Sequence, residues 1–138
     1  MRGASAVQKV LDEIKTPDIV ALIVWEPVLL TDLVPPTTRV LGRIHDNRAI
    51  QYWDPKLAVS NHVKRAARAV RQDEIQCIPD LDGGPVWDYI SIYPPGATWA
   101  EVPLGTSYSG CPVADVIGDV RERLLAAAGV SDVASRRR

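Results

Sequence analysis

Apolar residues recur along this chain first with the period of a helix and then as the unbroken run of a buried strand. In residues 5–15 they fall three and four positions apart, which predicts an amphipathic helix with Ser5 as its N-cap. Residues 19–25 are all apolar and rich in β-branched side chains. That run predicts a central strand with both faces covered, ending at Glu26 and Pro27.

The next segments repeat the alternation of helix and strand. A pair of prolines interrupts regular structure, after which Thr37 or Thr38 could cap a short helix. Residues 48–53 predict a second strand, and residues 56–72 predict a longer helix. The apolar residues of that helix would face inward, whereas its basic residues would form an outer stripe: Lys64, Arg65, Arg68 and Arg71.

The second half of the chain begins with an irregular stretch. Residues 73–85 are mostly loop-forming and contain at most a short strand at 74–78. Residues 86–93 predict a third strand. Pro94-Pro95-Gly96 then predicts a tight turn into a return strand at 98–102, because proline suits the first central turn position and glycine supplies positive φ.

A final helix completes the pattern, with Pro112 as its first residue and Gly129 as its C-cap. The order α-β-α-β-α-β-β-α predicts the α/β class. We expect one four-stranded mixed sheet, made of a parallel βαβ unit and a β-hairpin, flanked by helices and preceded by an additional N-terminal helix. Residues 1–130 would form a single domain, and residues 131–138 a disordered tail.

Composition narrows the classes of function. The 138 residues carry a net charge of −1, so no global field attracts nucleic acid or an anionic membrane surface. No apolar run reaches the roughly 18 residues that a membrane span needs, and the N-terminal pattern is not that of a signal peptide. We therefore predict a cytoplasmic protein without nucleic-acid or membrane partners. Its cysteines, Cys77 and Cys111, fit neither redox nor zinc spacing.

The order of elements resembles the thioredoxin fold, and local features add to the likeness. Val24-Trp25 resembles the end of the strand that leads into the thioredoxin active site. Gly84-Pro85 resembles the segment that carries the family's cis-proline, which implies a cis bond before Pro85. Ile92-Tyr93-Pro94-Pro95-Gly96 is similar to the turn between the family's last two strands, and Ser109-Gly110 to its glycine turn before the last helix. The resemblance spans residues 18–128.

The chain differs from that family at the position of the family's active-site cysteines. Thioredoxins place C-x-x-C just after this first strand, at a helix N-terminus that favours the thiolate. The corresponding residues 27–32, PVLLTD, contain no cysteine, and none occurs before Cys77. Dithiol exchange needs both an attacking and a resolving thiol. We therefore predict a redox-inactive binding or interaction protein, without a cofactor, rather than a dithiol oxidoreductase.

Three loops of a thioredoxin-like fold meet at one edge of the sheet and predict a ligand groove there. They follow the first strand, precede the third strand and precede the last helix. The resemblance implies that an extended peptide segment of a partner occupies this groove. The predicted lining residues are Glu26, Pro27, Leu29, Asp32, Gly84, Pro85, Val86 and Gly110.

Cys111 supports an alternative function at the same edge. It stands at the start of the last helix, where exposed backbone donors and the helix dipole would favour its thiolate. As a lone catalytic residue it would make the protein a single-thiol oxidoreductase or a redox sensor. A small cysteine that only fits the turn is the structural interpretation, and the sequence leaves both open.

The other polar and aromatic residues near the strands have structural interpretations. Glu26 and Asp32 could supply acid–base chemistry, but a strand-ending glutamate and a helix-capping aspartate explain them more simply. Tryptophans in or beside strands are expected in the core. These are Trp25, Trp53 and Trp87.

The remaining candidates lie on helices and loops. His45 and His62 lack the spacing of metal ligands, so no metal site is predicted, and His62 is expected to face solvent. The basic stripe has little aromatic interleaving and predicts a solvated helix face. The apolar residues 28–30 are the candidate surface for a homodimer.

Overall fold

Four helices and two two-stranded sheets make up residues 2–29, 32–69, 84–99 and 107–129, the parts of the chain that the computed structural model describes. The predicted mixed α/β class is confirmed. No helix in these ranges is long and apolar enough to cross a membrane. The elements are α1 (Arg2–Glu13), β1 (Ala21–Trp25), α2 (Thr38–Leu41), β2 (Ala49–Trp53), α3 (Ala58–Ala69), β3 (Ile90–Ile92), β4 (Tyr108–Gly110) and α4 (Val113–Ala127).

Strands β1 and β2 pair in parallel, and only one face of their sheet is covered. On the covered face, the Trp25 indole N–H donates to Gln51 Oε1 at 3.0 Å. Gln51 Nε2 in turn donates to the carbonyl oxygens of Leu41, the last residue of α2, and Ile44. On the other face Leu22 is 64% exposed, beside the exposed Ile50 and Tyr52. The prediction of a strand covered on both faces is therefore wrong for the described chain, since the residues on this second face are exposed.

Helix α1 begins three residues before the predicted start, so Ser5 lies inside the helix and is not its N-cap. The reason is tertiary contact, because the first turn of α1 packs against α4. A Cβ atom added at Gly3 would lie 2.9 Å from the Cβ of Val113 and would also meet the Asp88 carboxylate. Glycine therefore permits the close approach of the two helices.

Arg48, just before β2, connects the end of α1 to the sheet through hydrogen bonds. Its guanidinium donates to the backbone oxygens of Ile14 at 2.6 Å, Thr16 at 2.7 Å, and Leu11. It also forms a two-pronged pair with the Asp46 carboxylate, at 2.9 and 2.8 Å. These hydrogen bonds to the Arg48 guanidinium hold the pKa of Asp46 well below its usual range. A charged group with five donors thus satisfies carbonyls that the helix end leaves unpaired.

Helix α3 begins two residues after the predicted start, and residues 70–72 of the prediction lie outside the described residues. Its inner face carries Val63 and Ala67, which pack against Val86 and Tyr89. The helix therefore lies over the segment that leads into β3. The possible strand at 74–78 and the tail at 131–138 also lie outside the described residues.

The hairpin is built from a different second strand than the one predicted. Strand β3 begins only at Ile90, because Asp88 has φ 52° and cannot continue an extended strand. Its antiparallel partner is β4, with Ile90 opposite Gly110. The predicted return strand is wrong for Thr98 and Trp99, which belong to no strand. The rest of it, 100–102, lies outside the described residues.

The turns around α4 differ in detail from the sequence-based expectations. Pro112 is the N-cap of α4 and not its first residue. The peptide bond before Pro112 is cis, whereas the bond before Pro85, which the thioredoxin resemblance implied to be cis, is trans. At the other end Ala128 is the C-cap, and Gly129 follows it with φ +66°. Gly129 is therefore the residue after the C-cap and not the predicted C-cap, a position where glycine commonly ends a helix.

Candidate functional site

A chain of hydrogen bonds joins the end of β1 to the segment before β3. The Ser60 backbone N–H donates to Glu26 Oε1 at 3.0 Å, and the Ser60 hydroxyl donates to Glu26 Oε2. The Val86 N–H donates to the same hydroxyl oxygen at 2.8 Å. Ser60 is only 2% exposed. Glu26 and Val86, which the sequence placed in one groove, are thus separated by a single buried side chain.

The parallel strands explain why two carboxylates meet the start of α3. Glu26 follows β1 and Asp54 follows β2, so both lie at the same edge of the sheet. Asp54 Oδ2 accepts the Val59 N–H at 2.8 Å, and Glu26 accepts the next N–H, that of Ser60. The first N–H groups of a helix have no partner within the helix and carry partial positive charge. Both carboxylates therefore act as caps of α3.

Burial sets the electrostatics of this cluster. Loss of hydration raises the pKa of Glu26 above its ordinary value, although the hydrogen bonds from Ser60 act in the opposite direction. The nearby Asp54 carboxylate raises the pKa of Glu26 further, since like charges disfavour ionisation. Glu26 therefore binds a proton more readily than an exposed glutamate does.

Exposed apolar side chains lie close in sequence to Glu26 and Val86. Trp87, next to Val86, is 60% exposed, so its predicted place in the core is wrong, whereas Trp25 and Trp53 are half-buried. Leu29, three residues beyond Glu26, is also exposed. The residues next to this cluster in the sequence thus present apolar surface to solvent.

Asp32 forms hydrogen bonds with the backbone of Leu29. Its N–H donates to the Leu29 carbonyl at 2.8 Å, and its carboxylate accepts the Leu29 N–H at 3.1 Å. Pro27 is half-buried just after Glu26. Asp32 therefore orders the loop that carries Leu29, and the acid–base pairing of Glu26 with Asp32 has no counterpart in these contacts.

The third predicted loop lies beside the segment 84–88. The Val113 N–H donates to the Asp88 carbonyl at 2.9 Å, and the buried Gly110 pairs with Ile90. Cys111 is a half-buried thiol between these contacts. The turn before α4 and the segment before β3 are thus held together by backbone hydrogen bonds.

The near end of the segment 84–88 is held by α3. Gly84 is exposed with φ +63°, a conformation that glycine adopts without strain. Its carbonyl accepts a hydrogen bond from Lys64 Nζ at 2.6 Å. Pro85, which follows, is half-buried. Lys64 and Ser60, one turn apart on α3, therefore fix Gly84 and Val86 on either side of this proline.

Two members of the cluster were not predicted as site residues. Ser60 and Asp54 lie near the start of α3, where capping side chains are common, and capping alone gives no sign of a distant partner. A sequence signal was nevertheless present. A hydroxyl in the first turn of a helix that follows a parallel strand is near the edge where the strands end.

No family model, curated protein or solved structure matches this chain. Within the described ranges, no three His, Cys, Asp or Glu side chains are grouped so that they could hold a metal ion. A functional proposal therefore has to start from the Glu26–Ser60–Val86 hydrogen-bond chain and the apolar residues beside it.

Proposed function

We propose that this chain is a thioredoxin-like binding module that takes an extended peptide segment and does not catalyse dithiol exchange. The peptide would lie across the end of β1 and residues 84–86. In this proposal β1, β2, β3 and β4 belong to one four-stranded sheet, with β3 next to β1. The observation that carries the proposal is the hydrogen-bond chain from Glu26 through Ser60 to Val86.

The surroundings of this chain suit a peptide with apolar side chains. Its polar groups already satisfy one another, because Ser60 serves both Glu26 and Val86. Affinity would then come from the exposed Trp87 and Leu29, which offer an aromatic and an aliphatic anchor. An extended segment presents alternate side chains to the same side, so two anchors can be filled by residues two apart.

The cysteines argue against dithiol chemistry in this groove. Residues 27–32, which follow β1, contain none, and the chain has only Cys77 and Cys111. A cytoplasmic location, where thiols stay reduced, agrees with this proposal. The groove would therefore hold its ligand by packing and hydrogen bonds alone.

Selection from a phage-displayed library of random 12-residue peptides tests the proposal. We expect enriched peptides with apolar residues spaced two apart, binding the full chain in the micromolar range. Trp87→Ala should weaken them at least about fivefold, since buried aromatic anchors each contribute more than about 1 kcal/mol. Affinity is measured by fluorescence anisotropy of labelled peptides.

The control for Trp87 is Leu22→Ala, which removes an equally exposed apolar side chain from the open face of β1. This change should leave peptide affinity unaltered. Failure to enrich any peptide, or enriched peptides that bind the Trp87→Ala variant as well as the parent, would contradict the proposal.

A second candidate function rests on the position of Cys111. This half-buried thiol directly precedes the N-cap of the 15-residue helix α4. If it acts as a single-thiol nucleophile, a Cys77→Ser variant should react with iodoacetamide at pH 7 at least about tenfold faster than glutathione does. A rate equal to or below that of glutathione rules out this candidate, and the rate is followed by mass spectrometry.

A further inference from the structure

An aromatic stack lies against α3 and the turn after β3. The rings of His62 and Trp99 are parallel to within 9°, with centroids 5.2 Å apart. The Tyr93 ring lies 6.0 Å from Trp99 at a tilt of 55°. His62 is thus not the solvent-facing residue that the sequence predicted. The basic helix α3, which has few aromatic residues of its own, therefore contacts Trp99, which is distant in sequence.

The helix that carries His62, α3, also carries several basic residues. Arg65 Nη2 donates to His62 Nδ1 at 3.2 Å, so the guanidinium lies at the edge of the ring pair. Lys64 precedes Arg65, and Arg68 follows it one turn later on α3. No acidic residue occurs in the sequence between Asp54 and Asp73. Residues 55–72 are therefore basic, although the net charge of the chain is −1.

Trp99 combines fixed orientation with access to solvent. His62 covers one side of its ring, and yet the residue is 46% exposed. Tyr93 is more enclosed, and its burial raises the pKa of its hydroxyl. A side chain already held in place loses little conformational entropy when a ligand stacks on it.

We propose that Trp99 and Arg65 bind a nucleobase that carries a phosphate, as single-stranded nucleic acid presents it. The base would stack on the open part of the Trp99 ring, and the phosphate would pair with the Arg65 guanidinium. Aromatic platforms beside basic groups bind single strands in this way without reading sequence. A free nucleotide shares this chemistry. Because the whole chain has no long-range positive field, the binding is short-range and salt-sensitive.

Fluorescence anisotropy of labelled dT12 and rU12 with the full chain tests this binding. At 50 mM NaCl we expect saturable binding with a Kd on the order of 10–100 μM. Trp99→Ala should weaken it at least about fivefold, whereas Trp99→Phe should keep most of the affinity. Arg65→Gln should weaken it and reduce the slope of log K against log salt by about 0.7.

Competition with adenosine monophosphate distinguishes a free nucleotide from a nucleic-acid strand as the ligand. Displacement at micromolar concentrations assigns the surface to free nucleotides, and displacement only at millimolar concentrations assigns it to strands.

Matched controls separate stacking from general charge. Tyr52→Ala removes an exposed aromatic ring elsewhere, and Arg39→Gln removes an exposed arginine elsewhere. Neither should change the affinity, and circular dichroism confirms that each variant is folded. Absence of saturable binding up to 1 mM protein overturns the proposal. So does binding that survives Trp99→Ala in a folded variant, or displacement of the oligonucleotide by polyglutamate at equal charge.

Discussion

Replacing Arg48 with methionine is expected to lower the Tm by on the order of 10 °C. Methionine keeps much of the side-chain volume but removes every donor. Three backbone oxygens at the end of α1 then lose their partner, and the carboxylate of Asp46 loses its counter-ion. Unpaired polar groups in a partly buried place cost more than the hydrogen bonds themselves contribute. Thermal unfolding followed by circular dichroism measures the change.

Two further variants make the Arg48 prediction specific. Arg39→Met, at an exposed position of α2, should shift Tm by no more than about 2 °C, because surface substitutions have small effects. Arg48→Lys should be nearly as harmful as Arg48→Met, since one ammonium cannot reproduce the planar fork of the guanidinium. Full stability in Arg48→Lys would show that charge alone matters here, contrary to the geometry described.

Replacing Ser60 with alanine should reduce the free energy of unfolding at pH 7 by about 2–3 kcal/mol. The Val86 N–H would lose its acceptor and Glu26 would lose a donor to its carboxylate. The control is Ser107→Ala, an exposed serine whose hydroxyl makes a long 3.3 Å bond to a carbonyl. That change should stay within about 0.5 kcal/mol. Urea unfolding measures both.

The loss in Ser60→Ala should also depend on pH, through Glu26. The pKa of Glu26 is raised by burial in the folded chain, so its contribution to stability is present below the ordinary value of 4.5 and is lost as the pH rises through the folded value. The hydrogen bonds from Ser60 oppose that rise. Without the hydroxyl the folded pKa is higher still, and the variant should lose more stability at pH 7 than at pH 4. A loss of equal size at both pH values would contradict this role.

Helices and strands that show periodicity along the sequence were predicted correctly. The pairing of strands that are distant in sequence was not. Helices α3 and α4 and strand β2 have clear periodicity, and the structure places them within a few residues of the prediction. The hairpin shows the opposite case. Thr98 and Trp99 look like strand residues by propensity, yet β3 pairs with Tyr108–Gly110, which resembles a turn by composition. Which segment reaches β3 is decided by tertiary packing, and three-residue strands are too short to show alternation.

The candidate site was likewise predicted only in part. The thioredoxin resemblance predicted Glu26 and Val86 in one groove, and in the structure Ser60 makes hydrogen bonds with both. The position of Ser60 in the first turn of α3 indicates that it lies near the edge where the strands end, but its contact with Val86 could not be predicted, since the two residues are far apart in sequence. The stack of His62 on Trp99 was hidden for the same reason. Contacts between residues far apart in sequence leave no local periodicity to detect.

The open face of the β1–β2 sheet has a consequence for how freely this protein can vary. Leu22, Ile50 and Tyr52 lie on that face with much of their surface in water. Removing such a side chain forfeits less buried area than a substitution in the core does, so folding stability constrains the amino acid at these positions less strongly. Substitution of these residues by threonine, glutamine or lysine would leave the packing of the buried residues unchanged.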